Sequence, residues 1–187
     1  MARSLVSRNQ HEGTSETHAL MEKTNVNAPN AMGGVEKRLR TATAADLPTI
    51  MRHRRQMFTD MGFRNEASLN AMEATSTPFI KAGLENGSYR GWLIETPEGV
   101  VAGGGVVLLD YPSSPRDPGP RRAYILNMYT EPAFRRHGLA KLIVEAMVRW
   151  CREQGFGWVS LHASDDGRHL YETLGFKPTN EMRLALK

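Results

Sequence analysis

Between Tyr124 and Leu161 the chain changes its hydrophobic period twice, and these changes restrict the fold more than any other feature. The run Tyr124 to Thr130 is apolar and strand-like. Beyond Pro132 it gives way to a helical pattern, Leu139 to Gln154, with Leu139, Leu142, Ile143, Ala146, Met147 and Trp150 on one face. Lys141, Glu145 and Arg149 recur at four-residue spacing on the other face and support the helix. Gly155 to Gly157 ends it, and Trp158 to Leu161 follows as a short buried strand. Strand, helix and strand at this length predict a right-handed crossover and a parallel strand pair, so the class is α/β.

The turn entering that helix reads Arg135-Arg136-His137-Gly138-Leu139-Ala140. The first N–H groups of a helix have no intrahelical partner, and with the helix dipole they make a site for an anion such as phosphate. Gly138 lets backbone approach such an anion closely, Ala140 keeps the first turn narrow, and Arg135 and Arg136 add positive charge.

Arg-x-x-Gly-x-Ala, after Leu126-Asn127-Met128-Tyr129-Thr130-Glu131-Pro132, resembles the acetyl-CoA pyrophosphate motif of the GNAT superfamily of N-acetyltransferases. His162-Ala163-Ser164 and Leu170-Tyr171-Glu172-Thr173-Leu174-Gly175-Phe176 resemble that superfamily's later strand and its Tyr-x-x-Leu-Gly-Phe helix end, in the family's order and spacing. The resemblance runs from Glu36 to the C-terminus and is most specific from Tyr124 to Phe176. It implies a three-layer fold, a mixed and mostly antiparallel sheet with a splayed central parallel pair and flanking helices. It also implies acetyl-CoA as acyl donor, with the pyrophosphate on Arg135, Arg136, His137, Gly138, Leu139 and Ala140 and the pantetheine against the main chain of Met128 and Tyr129. Ser164 stands where the family often has an asparagine that bonds the cofactor. Tyr171 stands at the place of a general acid for the leaving thiolate, and a phenol of pKa ~10 suits a thiol of ~8.5. The transfer implied is direct, from thioester to an amine of a small molecule or peptide. Met61-Gly62-Phe63, between the first two helices, would lie at the substrate mouth.

At 187 residues the chain has room for one domain and a tail. Residues 1–35 are rich in Asn, Ser, Thr, Glu and Gly without a sustained period, which predicts a disordered tail ahead of a domain at 36–187. The net charge of +4 is concentrated: residues 36–55 and 116–141 each hold six Lys or Arg against two acids. No aromatic interleaving accompanies either cluster, which argues against a nucleic-acid partner. The single cysteine, Cys151, excludes an intrachain disulfide and reads as a packed helical thiol. No stretch approaches the ~20 apolar residues of a membrane span, and the expected compartment is the cytoplasm. No metal-ligand spacing is visible, and a homodimer is left open.

Val35 to Thr41 alternates as a first strand, and the helix after it, with Pro48 in its first turn, takes Asp46 as N-cap. His53, Arg54 and Arg55 read as a solvated polar band on that helix. Asn65 to Glu85 reads as helix interrupted at Thr77-Pro78. Tyr89 to Glu95 and Val100 to Leu109 form a hairpin, the second strand carrying Gly103-Gly104-Gly105, which marks a bulge or a ligand close to the backbone. Asp110 to Arg122 is a proline-rich loop, Ser164 or Asp165 caps a last helix closed by Gly175, and Phe176 to Leu186 supplies a final strand. For the base that deprotonates the amine, Glu95, Asn127, His137 and His162 are candidates by strand or loop position alone. Two other readings stand beside the enzyme, a non-catalytic acyl-CoA-binding sensor or interaction module and a basic nucleic-acid binder. Retention of Tyr171 favours the enzyme, since a pure binder has no need of a phenol at the sulfur.

Overall fold

The computed structural model describes residues 36–115 and 117–186; the predicted tail, residues 1–35, lies outside them. One five-stranded sheet in the order β1-β2-β3-β4-β5 forms the centre. Its strands are β1 (Arg38–Thr41), β2 (Tyr89–Thr96), β3 (Gly99–Asp110), β4 (Arg121–Thr130) and β5 (Val159–Leu161). Neighbours pair antiparallel except β4 and β5, which are parallel and joined through a helix. Helices α1 (Leu47–Asp60) and α2 (Glu66–Asn86) cover one face, α3 (Leu139–Glu153) and α4 (Asp165–Thr173) the other.

Alternation along the strands divides the apolar residues between the two faces. Val106, Ala123 and Ile125 join Leu139, Ile143, Met147 and Cys151 of α3, whereas Val107 and Tyr89 join Ile50, Met51 and Ile80 of α1 and α2. Cys151 is buried, and burial pushes its thiol up to about 11, so it stays protonated and inert at neutral pH.

Several expectations are corrected. Asp46 is the N-cap residue of α1 as expected, but its side chain makes no capping bond there; its carboxylate turns back to Thr43 and to Arg40 at 2.7 Å, closing a capping box on a short 3-10 turn. α2 is continuous through Pro78: the proline withdraws only one backbone donor, and the Thr77 hydroxyl donates to the Glu73 carbonyl just before it. The proline-rich loop is a hairpin connection, with Tyr111 N–H donating to the Pro120 carbonyl. β5 is half-exposed rather than buried, because it is the edge of the sheet. No strand forms between Phe176 and Leu186; Met182, Leu184 and Leu186 keep a strand-like alternation in sequence but are exposed.

Candidate active site

β4 carries the irregularity that shapes the site. Gly105 pairs with Leu126 and Gly103 with Tyr129, so β4 spends one more residue than β3 over the same span, a β-bulge. The extra residue is Asn127, whose φ of 58° is left-handed. The bulge reverses the phase of the strand. Leu126 and Asn127 both turn to the α1 side, Met128 to the α3 side, and Tyr129 again to α1.

β4 pairs with β5 only from Ala123 to Ile125, so beyond the bulge the β5-side edge of β4 has no strand beside it. Met128 and Tyr129 lie on this unpaired stretch of β4. Their side chains are committed to packing, Met128 in the α3-side core and Tyr129, 7% exposed, against His53 with ring centroids 5.0 Å apart.

The turn after β4 reaches α3 through Arg136 (φ 66°) and Gly138 (φ 74°), both left-handed. Such conformations turn backbone N–H groups into a concavity suited to an anion. Gly138 is the N-cap and supplies no side-chain acceptor, so the first N–H groups of α3 remain available. Arg136, His137 and Gly138 are exposed, while Leu139 is buried and anchors the helix. The Arg135 side chain is committed elsewhere, to the Thr130 carbonyl and the Asp60 carboxylate of α1. It braces the loop instead of facing outward.

Ser164 is the N-cap of α4, its oxygen accepting from Gly167 N–H at 3.2 Å, which leaves the hydroxyl proton free to donate. Tyr171 belongs to the α3-side cluster with Met128 and Leu161, its ring edge-on to Phe176 at 5.8 Å. Burial raises its pKa, and its hydroxyl has no hydrogen-bond partner among the described residues. Space for the ring comes from Gly167, where a Cβ would approach the Tyr171 ring to 3.1 Å.

The four candidate bases are not brought together. Glu95 is paired with Arg38 and Arg40 at the β1 edge, and His137 is exposed in the turn entering α3. Asn127 is buried, with its oxygen accepting from Arg54 at 2.5 Å and its amide donating to the Tyr89 hydroxyl at 3.2 Å. His162 follows β5 directly, its Nδ1 against the Tyr124 hydroxyl and its Nε2 3.4 Å from Glu181.

The polar band on α1 is the largest departure from the sequence reading. His53 is 2% exposed, with Nε2 accepting from Arg52 at 3.1 Å and lying 3.6 Å from Glu131. The proton therefore sits on Nδ1, which is buried without a partner among the described residues beside a cavity of about 10 Å³ lined by Ile50, Tyr89, Leu93, Gly103, Gly104 and Asn127. Desolvation, reinforced by the Arg52 charge, lowers its pKa to about 4, so His53 is neutral at physiological pH. Glu131 also accepts from the Tyr129 hydroxyl at 3.3 Å. The signal for a buried imidazole lay opposite α1, not on it. A Cβ on Gly103 would lie 3.2 Å from His53 Nδ1, one on Gly105 2.2 Å from the Tyr89 hydroxyl, and one on Gly104 2.3 Å from Met128 Sδ. The glycine tract is bare because neighbouring side chains lie over it, and the bulge expected in that strand lies instead in β4 opposite it.

A five-stranded sheet antiparallel except for one parallel pair, with helices on both faces, defines the class as a mixed three-layer α/β fold. The profile of the Acetyltransferase (GNAT) family matches residues 50–176, and the chain belongs to that family. A crystal structure of a GCN5-related N-acetyltransferase from Ralstonia eutropha is 32% identical with a TM-score of 0.75, covering 80% of this chain and 98% of that one. A predicted acetyltransferase from Clostridium acetobutylicum, solved with acetyl-CoA, is 26% identical with a TM-score of 0.74, covering 80% and 96%. Human N-acetyltransferase 8 is 28% identical over 93 residues, 48% of this chain and 39% of the human protein. The match thus spans well under half of that curated relative. Among the described residues no helix is long and apolar enough to cross a membrane, and no group of three potential metal ligands occurs.

Proposed function

We propose that the protein transfers an acetyl group from acetyl-CoA directly to an amine of a small molecule or peptide. The observation that carries this reading is that β4 runs on past its last pair with β5 at Ile125 and leads into a turn that holds Arg136 and Gly138 left-handed at the start of α3. An extended ligand with an anionic end fits both. The fit to acetyl-CoA is tested by donor chemistry: main-chain groups at Met128 and Tyr129 suit an amide-bearing pantetheine, and the uncapped α3 start with Arg136 suits the pyrophosphate. His137, Leu139 and Ala140 complete that turn, and the Ser164 hydroxyl keeps one proton to donate. Arg135 acts through its brace to Asp60 and Thr130.

When bound, acetyl-CoA supplies the acyl group as a thioester. The residues then have two tasks, holding the carbonyl where charge develops and returning a proton to the departing sulfur. Main-chain donors at the bulge suit the first. Tyr171 suits the second: its phenol has no competing partner among the described residues, and its raised pKa keeps it protonated at neutral pH. A non-catalytic acyl-CoA sensor would need the cleft but not the phenol.

The experiment is acetyl-CoA consumption by the full chain against a panel of amines, alongside thermal shift with acetyl-CoA and with dephosphorylated pantetheine. Turnover and a shift specific to the nucleotide-bearing ligand are expected. A shift without turnover on any amine would favour the sensor, and no shift would remove the cofactor assignment.

A further inference from the structure

Three described arginines are not exposed, Arg40, Arg54 and Arg55, and two of them have carboxylate partners. Arg40 is paired with Asp46 and Glu95, and Arg55 with Glu66 and Glu73. On the same helix the exposed Arg52 is paired with Glu131. Arg54 alone among the three has no acid among the described residues. One N–H goes to Asn127 Oδ1 at 2.5 Å, Nε goes to Met72 Sδ at 3.2 Å, and the guanidinium lies 5.0 Å from the Phe58 ring centroid. None of these neutralises the charge. A partly desolvated cation without a counter-ion is costly, and burial pulls Arg54 below its usual pKa. Pinning the Asn127 amide needs only a donor, so the pin accounts for the hydrogen bond and leaves the net charge unexplained.

The position of this charge is specific. Asn127 is the bulge residue immediately before Met128, so Arg54 reaches from α1 to the stretch of β4 just past its last pair with β5 at Ile125. Outward from Arg54 the contacts are apolar: Phe58 stacks edge-on with Phe63 at 5.6 Å, and Phe63 is 53% exposed beside Met61, 52% exposed. Guanidinium N–H groups not committed to Asn127 or Met72 form a planar fork that matches a carboxylate.

Resting on the acetyl-transfer reading, we propose that the acceptor is an amine bearing a carboxylate a few bonds away, a free amino acid with an apolar side chain, and that Arg54 binds that carboxylate. The acid supplies the counter-ion that the described residues do not, Phe58 and Phe63 take the apolar part, and the amine is left toward the acyl group at the bulge. A peptide N-terminus, whose first carboxyl is an amide, lacks the recognised group.

The test compares matched pairs as acceptors, L-phenylalanine and L-leucine against their carboxamides, with acetyl-CoA binding followed separately by thermal shift. The acids are expected to exceed the amides at least 10-fold in kcat/KM. In Arg54→Gln, which keeps a donor for Asn127, that ratio should fall to about one while the thermal shift with acetyl-CoA persists; Arg54→Lys should restore part of it. A merely structural Arg54 would lower both substrates of a pair together and leave the ratio unchanged. Equal rates for acid and amide in the wild type, or no turnover of any acid by protein that shifts with acetyl-CoA, overturns the proposal. Absence of the shift itself overturns the acetyl-CoA reading instead.

Discussion

His53 should make the protein acid-labile well above the range where carboxylates titrate. Its pKa falls from 6.5 to about 4 in the fold because the ring is 2% exposed and faces the Arg52 charge. Between those values the unfolded chain binds a proton that the folded chain refuses, so stability falls as pH falls, by up to ~1.4 kcal/mol per unit. Across the whole interval, from 6.5 to about 4, the loss approaches about 3 kcal/mol, a large share of the 5–15 kcal/mol typical of a domain. Urea unfolding followed by tryptophan fluorescence at pH 8, 6, 5 and 4.5 should show the midpoint dropping by about 1 M or more, given ordinary slopes. In His53→Leu the titrating group is gone and the unpartnered Nδ1–H is replaced by a side chain suited to Ile50 and Leu93 beside it. That variant should lie within ~1 kcal/mol of wild type at pH 8 and lose the excess slope between pH 6.5 and 4.5. The reasoning is refuted if the slopes of wild type and variant coincide.

Three other outcomes are expected. Gly138→Gln, at a left-handed position with open space around it, should fold with a strain cost of about 1 kcal/mol yet lose most of the thermal shift with acetyl-CoA, checked by a ligand titration. Tyr171→Phe should keep cofactor affinity and lower turnover by ~10²-fold or more in steady-state assays; normal turnover would make Tyr171 a packing residue. Asp46→Asn should destabilise by about 2 kcal/mol at neutral pH, because the Arg40 bond holds the Asp46 pKa at about 2; this stability exists above pH 3.8 and is lost as pH falls toward 2, so variant and wild type should converge in acid melts.

The crossover and its turn were legible because each residue there obeys a local rule. The three- and four-residue period of Leu139 to Met147 survives in the structure, and Gly138 takes the left-handed conformation its position demands. Ser164 caps α4 as its type suggests, and Gly175 closes it at φ 89°. What the residues alone could not show was decided across elements. His53 and Arg54 look like surface on a helical wheel, and only the bare backbone of Gly103 and the phase reversal at Asn127 make room for them inside. The Arg54–Asn127 contact joins residues 73 apart in sequence, beyond any periodic signal. The failure at the C-terminus has the opposite cause: Met182, Leu184 and Leu186 alternate correctly, but alternation specifies a face and not a partner edge.

The glycine tract has a consequence for how this sequence can change. Gly104 faces Met128 Sδ at 2.3 Å and Met147 Cε at 2.8 Å from where a Cβ would stand, so β3, β4 and α3 each contribute one member to a single packed unit. Enlarging the glycine alone collides with two sulfur-bearing side chains; shortening either methionine alone opens a void. Each single step is therefore downhill in fitness although a concerted exchange need not be. Substitutions at these positions should accordingly travel together across descendants of this sequence, with strongly non-additive double-mutant cycles as their laboratory trace.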